Sequence, residues 1–173
     1  MANAFESGAR KVIPAVLVYL ERDGRLLMLH RDAKPGDYHA GKVNGLGGKL
    51  EPGESPLEAA AREVAEEAGV TLAPERYRVL GVLQFPNFKA HKNEDWLVYV
   101  LTAELRAGET AWEKGPEGAL AWVDKKDVPQ LNLWAGDRHF IPYVVEGKPF
   151  VGTLWYEGQA VRRYWIAPLS QLS

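Results

Sequence analysis

The chain has 173 residues, no cysteine and a formal net charge of −2. The length fits one domain, the charge leaves no broad basic surface for polymeric nucleic acid, and the missing cysteine excludes disulfide or thiolate chemistry. No apolar run reaches the ~20 residues that cross a membrane. Residues 1–11 lack a hydrophobic signal core, so we expect a cytoplasmic protein with a flexible N-terminus.

Two strands are predicted near the N-terminus, at residues 12–20 and 26–30, with a turn at Asp23 and Gly24 between them. A loop is predicted over residues 34–48, because its end is too rich in glycine for a strand interior. Glycines in such a loop let the backbone approach a ligand closely.

The next segment carries the start and stop signals of a helix. Ser55 is a good N-cap, Pro56 suits the first helical position, and Glu58 completes a capping box with Ser55. Gly69 is placed to end the helix in the left-handed conformation, which predicts a helix over residues 56–68. An apolar stripe at helical spacing should face a core; it consists of Leu57, Ala60, Ala61, Val64 and Ala68.

The rest of the chain alternates between strands and helices. The patterns predict strands at 78–85, 96–105 and 119–123, a second helix at 137–146, and a closing hairpin of 150–156 and 161–166. Residues 86–95 are predicted as a mobile loop over a substrate, and residues 108–118 as a second loop. Strands interleaved with two helices predict an α/β fold with a mixed sheet that is covered on both faces.

Three glutamates crowd one side of the predicted first helix. Residues three and four apart share a helix face, so Glu63, Glu66 and Glu67 should point the same way and repel one another. Arg62 can pair with Glu58 and Glu66 at a spacing of four. A divalent cation would remove the repulsion, and carboxylate oxygens suit Mg²⁺ or Mn²⁺. A solvated acidic helix face is the alternative.

The whole segment of residues 48–70 resembles the Nudix box. The matching positions are Gly48, Glu54, Arg62, Glu63, Val64, Glu66, Glu67, Gly69 and Val70. The resemblance implies a single Nudix hydrolase domain over residues 1–173, and an α/β/α sandwich with a mixed sheet and a loop–helix–loop catalytic motif. It also implies cleavage of a nucleoside diphosphate linked to another group. From about Pro14 onward the chain is more loosely similar to the MutT-like enzymes that hydrolyse oxidised purine nucleoside triphosphates.

The resemblance implies a metal site as well. The ligands of Mg²⁺, which Mn²⁺ can replace, would be the carbonyl of Gly47 and the carboxylates of Glu63, Glu66, Glu67 and Glu117. The general base would be Glu66 or Glu117, and the resemblance does not decide between them. Arg62 would hold a glutamate in place, and Glu54 belongs to the same catalytic motif.

The substrate-binding residues implied by the resemblance are Asn44, Trp134 and Asp137 for the base, Lys49 for a phosphate, and Tyr38 for the pocket lining. Each of the base-contacting residues has a structural alternative, because Asn44 can shape a loop, Trp134 can be core, and Asp137 can cap a helix. Relatives of the animal type have two neighbouring aspartates after the tryptophan. This chain has Gly136 and Asp137, which weakens the expectation of an oxidised purine.

The expected reaction converts a nucleoside triphosphate such as 8-oxo-dGTP to the monophosphate and pyrophosphate, a sanitation of the nucleotide pool. One alternative keeps the enzyme and changes the substrate to a dinucleoside polyphosphate, a nucleotide sugar or ADP-ribose. A second alternative is a Nudix module that binds nucleotides without cleaving them, although such modules usually lose glutamates that are all present here. We expect no membrane partner, and a monomer or small homo-oligomer.

Overall fold

The computed structural model describes residues 9–32 and 41–171. Its strands are β1 (Lys11–Arg22), β2 (Arg25–Arg31), β3 (Val43–Asn44), β4 (Leu46–Lys49), β5 (Arg78–Lys89), β6 (Glu94–Glu104), β7 (Lys114–Gly115), β8 (Gly118–Asp124), β9 (Phe150–Glu157) and β10 (Ala160–Pro168). The helices are α1 (Pro56–Ala68) and α2 (Asp137–Glu146). Within these ranges no helix is both long and apolar enough to span a membrane.

All the strands belong to one mixed sheet. Its main path has the order β10-β9-β5-β6-β1-β2-β8-β7, and β3 and β4 pair with β2 and β1 outside that path. The β1–β6 and β5–β9 pairs are parallel, while the other pairs are antiparallel. The predicted mixed sheet is confirmed.

The side chains of β1 alternate between two cores. Ala15 and Tyr19 join the core on the α2 side, whereas Val16, Val18 and Leu20 join the core on the α1 side. This alternation follows from the two-residue period of a strand, and burial on both faces marks β1 as a central strand. One helix therefore covers each face of the sheet, as the α/β/α prediction requires.

Helix α1 has the predicted bounds. The Ser55 side chain accepts from the Glu58 N–H, the Glu58 carboxylate accepts from the Ser55 N–H, and Gly69 adopts φ 68°. Ala60, Val64 and Ala68 of the predicted stripe are fully buried. Local signals were sufficient here, because each cap is satisfied by residues within the segment itself.

The predicted loop over residues 34–48 is wrong at its end, where β3 and β4 form. Residues 33–40, including Tyr38, lie outside the described residues. Gly47 pairs with Leu17 at φ 145°, and a side chain there would collide with the carbonyl oxygen of Val16. The glycines thus allow β4 to lie very close to β1, a close approach that favours glycine within a strand.

The predicted loop over residues 86–95 is also largely wrong. Strand β5 continues to Lys89, a 3₁₀ turn covers Ala90–Lys92, and β6 starts at Glu94. The pairing jumps from Phe85–Trp96 to Lys89–Glu94, which leaves Pro86 in a bulge where its missing N–H costs no ladder bond. Near the first described residues, Arg10 forms an ion pair with Asp95. Residues 1–8, the rest of the N-terminus that we expected to be flexible, lie outside the described residues.

Candidate functional site

Helix α1 places Glu63, Glu66 and Glu67 in different surroundings. Glu67 is 7% exposed and Glu63 is partly buried, while the side chain of Glu66 is 60% exposed. Glu66 is thus the most exposed of the three, but its carboxylate lies near that of Glu63, since both contact the same nitrogen of Arg62. Glu63 and Glu67, four residues apart, lie at the rim of the α1-side core.

Arg62 connects α1 to the chain before it. Its guanidinium donates to both carboxylate oxygens of Glu54, at 2.7 and 2.9 Å, and to the Lys49 carbonyl at 3.1 Å. It also reaches Glu63 at 2.9 Å and Glu66 at 3.4 Å. These hydrogen bonds, chiefly the one to Glu54, raise the pKa of Arg62 and lower that of Glu54 to about 2.

The predicted pairing of Arg62 with Glu58 does not form, because the Glu58 carboxylate is used in the capping box. Arg62 contacts Glu54 instead, eight residues away in sequence. The planar fork of an arginine suits a bidentate contact of this kind. The orientation of Glu63 therefore depends on a contact that helix periodicity does not predict.

Glu67 lies among other carboxylates. The Gly47 N–H donates to Glu67 Oε2 at 2.8 Å. Burial raises the pKa of Glu67 to about 8, the Gly47 hydrogen bond opposes this rise, and the charges of Glu117 and Glu63 add to it. Glu117 also hydrogen-bonds Glu67 and pairs with Arg31 at 2.8 Å.

Two glycines make this grouping possible. A side chain at position 48 would collide with the Glu63 carboxylate, and one at position 115 would collide with the backbone carbonyl of Glu67. The absence of a Cβ lets β4 and the β7 turn contact α1 closely. The structure thereby brings together Gly47, Glu63, Glu67 and Glu117 from three separate segments.

A cavity of about 760 Å³ opens next to these residues. Gly47 and Gly48 line it, together with Asn44, Trp134 and Asp137. All three predicted base-contacting residues therefore lie in one cavity. Lys49, the predicted phosphate contact, is exposed, and its ammonium lies 5.4 Å from the ring centroid of Trp96, another lining residue.

Two polar groups of the cavity-lining residues are buried, the Asp137 carboxyl group and the amide oxygen of Asn44. Asp137 is 9% exposed, and burial raises its pKa to about 7, against the opposing charge of Lys42. Its alternative role as an N-cap is wrong, since Gly136 holds the N-cap position and no side-chain cap bond forms. The Oδ1 atom of Asn44 is buried and lacks a hydrogen-bond partner in the described structure. An unpaired buried acceptor costs free energy, which a ligand donor would recover.

Sequence reasoning missed an aromatic wall of the cavity. Phe85, Phe88, Trp96 and Tyr156 contact one another edge to face or at a tilt, with ring centroids 5.0–5.4 Å apart. The aromatic residues were visible in the sequence, but they come from three strands. Only the pairing of Phe85 with Trp96 and the β5–β9 contact bring them together.

A family model for the NUDIX domain matches residues 11–144. The chain belongs to the Nudix family. It is 31% identical to an oxidized purine nucleoside triphosphate hydrolase of Danio rerio over 145 residues, 84% of this chain and 87% of the relative. It is 39% identical to the CTP pyrophosphohydrolase of Escherichia coli over 127 residues, 73% of this chain and 87% of the relative. A crystal structure of a MutT protein from Bacillus halodurans matches with a TM-score of 0.75 at 26% identity, covering 89% of this chain and 97% of that one.

The protein is thus a Nudix hydrolase that acts on nucleotide substrates, and the predicted enzyme class and fold are confirmed. Nudix hydrolases generally use a divalent metal. In the described ranges no three acidic, histidine or cysteine side chains already form a ligand cluster. Glu63 is turned towards Arg62, and Glu67 and Glu117 are hydrogen-bonded to each other.

The donor set nevertheless fits a hard divalent ion. The side-chain ligands grouped here are carboxylates, whose oxygens such ions prefer. The charges of Glu117 and Glu63 repel the Glu67 carboxylate and raise its pKa, in addition to the larger effect of burial. Gly48 leaves room against Glu63 that any other residue would fill. The residues therefore suit a divalent cation once the side chains of Glu63 and Glu117 turn towards it.

Proposed function

We propose that this Nudix hydrolase cleaves a nucleoside triphosphate with an oxidised purine base, such as 8-oxo-dGTP, to the monophosphate and pyrophosphate, and so sanitises the nucleotide pool. The observation that carries the proposal is one cavity lined both by Gly47 and Gly48, which contact the glutamate cluster, and by Asn44 and Asp137. A nucleotide has matching parts, with charged phosphates at one end and a flat base with polar edges at the other. The name of the Danio rerio relative supports the oxidised base.

Glu63, Glu67 and the carbonyl of Gly47 would hold Mg²⁺, or Mn²⁺ in its place, with Glu66 and Glu117 as further ligands. When bound, the ion supplies neutralisation of phosphate charge and a lower pKa for water. Arg62 keeps Glu63 in place through the anchor that Glu54 provides.

A glutamate would accept the proton of the attacking water, and Glu66 and Glu117 are the two candidates. Glu66 is exposed and contacts Arg62, whereas Glu117 lies between Arg31 and Glu67. Glu66→Gln and Glu117→Gln would be compared at saturating metal concentration. The base is the residue whose substitution lowers kcat and removes the acidic limb of the pH–rate profile.

At the other end of the cavity, Trp134 would stack on the base, while Asn44 and Asp137 would hydrogen-bond its edge. Lys49 would contact a phosphate from its exposed position near the cavity. The role proposed for Tyr38 in lining the pocket concerns a residue outside the described part of the chain.

A second candidate is hydrolysis of another nucleotide, such as CTP, a dinucleoside polyphosphate, a nucleotide sugar or ADP-ribose. Gly136 favours it, because the chain lacks one of the two aspartates found in relatives of the animal type. The identity of 39% to a CTP pyrophosphohydrolase favours it as well.

The test is a hydrolysis screen with Mg²⁺ over normal and oxidised nucleoside triphosphates, dinucleoside polyphosphates and ADP-ribose, with identified products. We expect the highest kcat/KM for an oxidised purine triphosphate. Comparable kcat/KM for 8-oxo-dGTP and dGTP would contradict the sanitation function, and a preference for CTP would select the second candidate.

The metal-site assignment has its own test. Glu63→Gln and Glu67→Gln should each lower kcat by roughly 10²-fold or more with the fold intact, because each removes a charged ligand. The matched control is Glu75→Gln, which changes an exposed glutamate outside the site. Wild-type activity of both site variants in Mg²⁺ would refute the assignment.

A further inference from the structure

Gly136 and Tyr156 contact each other at the polar end of the cavity. Gly136 precedes α2, and Tyr156 is the second-last residue of β9. A Cβ atom at position 136 would collide with the Tyr156 hydroxyl. The hydroxyl therefore occupies the space that a side chain at position 136 would need, directly beside Asp137.

The ring of Tyr156 is held in this position. It is 9% exposed and contacts Phe85 and Phe88 with centroid distances of 5.4 and 5.0 Å, both edge to face. Phe88 in turn rests on Trp96 at 5.0 Å. A tyrosine ring packed between other rings has little rotational freedom, so Phe85 and Phe88 fix the position of the Tyr156 hydroxyl.

The hydroxyl adds a hydrogen-bonding group that the other polar side chains do not supply. Among the other lining residues, Asn44 has a buried amide oxygen without a partner, and Asp137 contributes a carboxyl group. A phenol both donates and accepts. Tyr156, Asn44 and Asp137 all line the one cavity, together with the base-stacking candidate Trp134.

We propose that the Tyr156 hydroxyl hydrogen-bonds the edge of the substrate's base and is a specificity-determining residue, occupying the position that Gly136 leaves open. This rests on the proposed function in that the substrate is a nucleotide whose base enters the cavity. The ligand class is a base with exocyclic oxygen or amino groups, most completely an oxidised purine. A site that hydrogen-bonds such a group discriminates strongly against analogues that lack it, because its own polar groups are then left unpaired.

The test compares wild type and Tyr156→Phe on nucleoside triphosphates that differ by one exocyclic group: 8-oxo-dGTP against dGTP, dGTP against dITP, and dATP against dITP, with CTP included. We expect the variant to change at least one of these kcat/KM ratios by roughly 10-fold or more, mainly through KM. Tyr99→Phe is the matched control, since Tyr99 packs on the α1-side core, away from the cavity. A Tyr156→Phe protein with every ratio within twofold of wild type would overturn the inference.

The two proposals are judged by separate parts of the data. The rank order of substrates for the wild-type enzyme judges the proposed function, whereas the change between wild type and Tyr156→Phe judges the hydroxyl. If the wild type prefers CTP, the oxidised-purine function fails, and a changed ratio in the variant still supports base recognition by Tyr156.

A double-mutant cycle tests the packing premise. Gly136→Ala should raise KM strongly in the wild-type background, because the new methyl group displaces the hydroxyl. In the Tyr156→Phe background the nearest atoms to the methyl group are the ring carbon Cζ, at 3.1 Å, and Leu154 Cδ2, at 3.3 Å. The effect of Gly136→Ala should therefore be at least threefold smaller there, and purely additive effects would overturn the proposed position of the hydroxyl.

Discussion

Replacing Asp137 with asparagine should stabilise the protein at high pH and leave its stability at low pH nearly unchanged. Burial raises the pKa of Asp137 from its ordinary 3.8 to about 7. The folded state therefore keeps a proton that the unfolded chain releases near pH 4. Between about pH 4 and pH 7 the unfolded state binds fewer protons, so the free energy of unfolding falls as pH rises.

The size of this loss of stability follows from the difference between the folded and ordinary pKa values of Asp137, 7 − 3.8 ≈ 3. At roughly 1.4 kcal/mol per pH unit, the ionised carboxylate costs up to about 4 kcal/mol above pH 7. Asparagine has a similar shape and stays neutral. The variant should exceed wild type by about 2–4 kcal/mol at pH 8.5, and the two proteins should agree within about 1 kcal/mol at pH 4.5.

Urea denaturation with EDTA present, at pH 4.5 and pH 8.5, measures both free energies. Taking the difference between variant and wild type cancels the titration of Glu67, which is common to both proteins. Asp124→Asn, which changes an exposed carboxylate at the end of β8, is the control substitution. A stability difference for Asp137→Asn that is equal at the two pH values would refute the reasoning.

Three further substitutions probe the elements that position the site. Ser55→Ala removes half of the capping box and should lower the free energy of unfolding by about 1 kcal/mol, measured by urea denaturation. Arg62→Lys keeps the charge but loses the bidentate contact with Glu54, so kcat should fall roughly 10-fold while the melting temperature changes by only a few degrees; unchanged kcat would contradict the positioning role. Gly47→Ala should destabilise the fold by more than about 3 kcal/mol, seen as loss of the cooperative thermal transition, because its Cβ would collide with the Val16 carbonyl and its φ is 145°.

Local sequence predicts the helices of this protein better than it predicts several of the strands. The bounds of α1 and α2 agree with prediction. Both caps of α1 act within a few residues, and α2 ends at the left-handed Gly147. Three stretches that were predicted as loops form strands: β3–β4, the end of β5, and β7 within residues 108–118. Each owes its conformation to a neighbouring strand. Strand pairing joins distant segments, so sequence pattern alone did not reveal it.

The same division applies to the site. Sequence analysis selected the residues of the Nudix box, and the structure places Glu63, Glu67 and Glu117 together while leaving Glu66 exposed. From the sequence, only the resemblance to the family grouped Asn44, Trp134 and Asp137. In the structure all three line the same cavity. Tyr156 had no motif to indicate it.

The sequence by itself determined the chemistry of this protein, because the glutamates, the arginine and the caps of α1 lie within one 23-residue segment whose spacing specifies their shared helix. Only the tertiary structure decided which carboxylates are buried and which side chains line the cavity. Those properties arise from contacts between β1, β4, β9 and the helix ends, and burial and electrostatic coupling depend on distance in space.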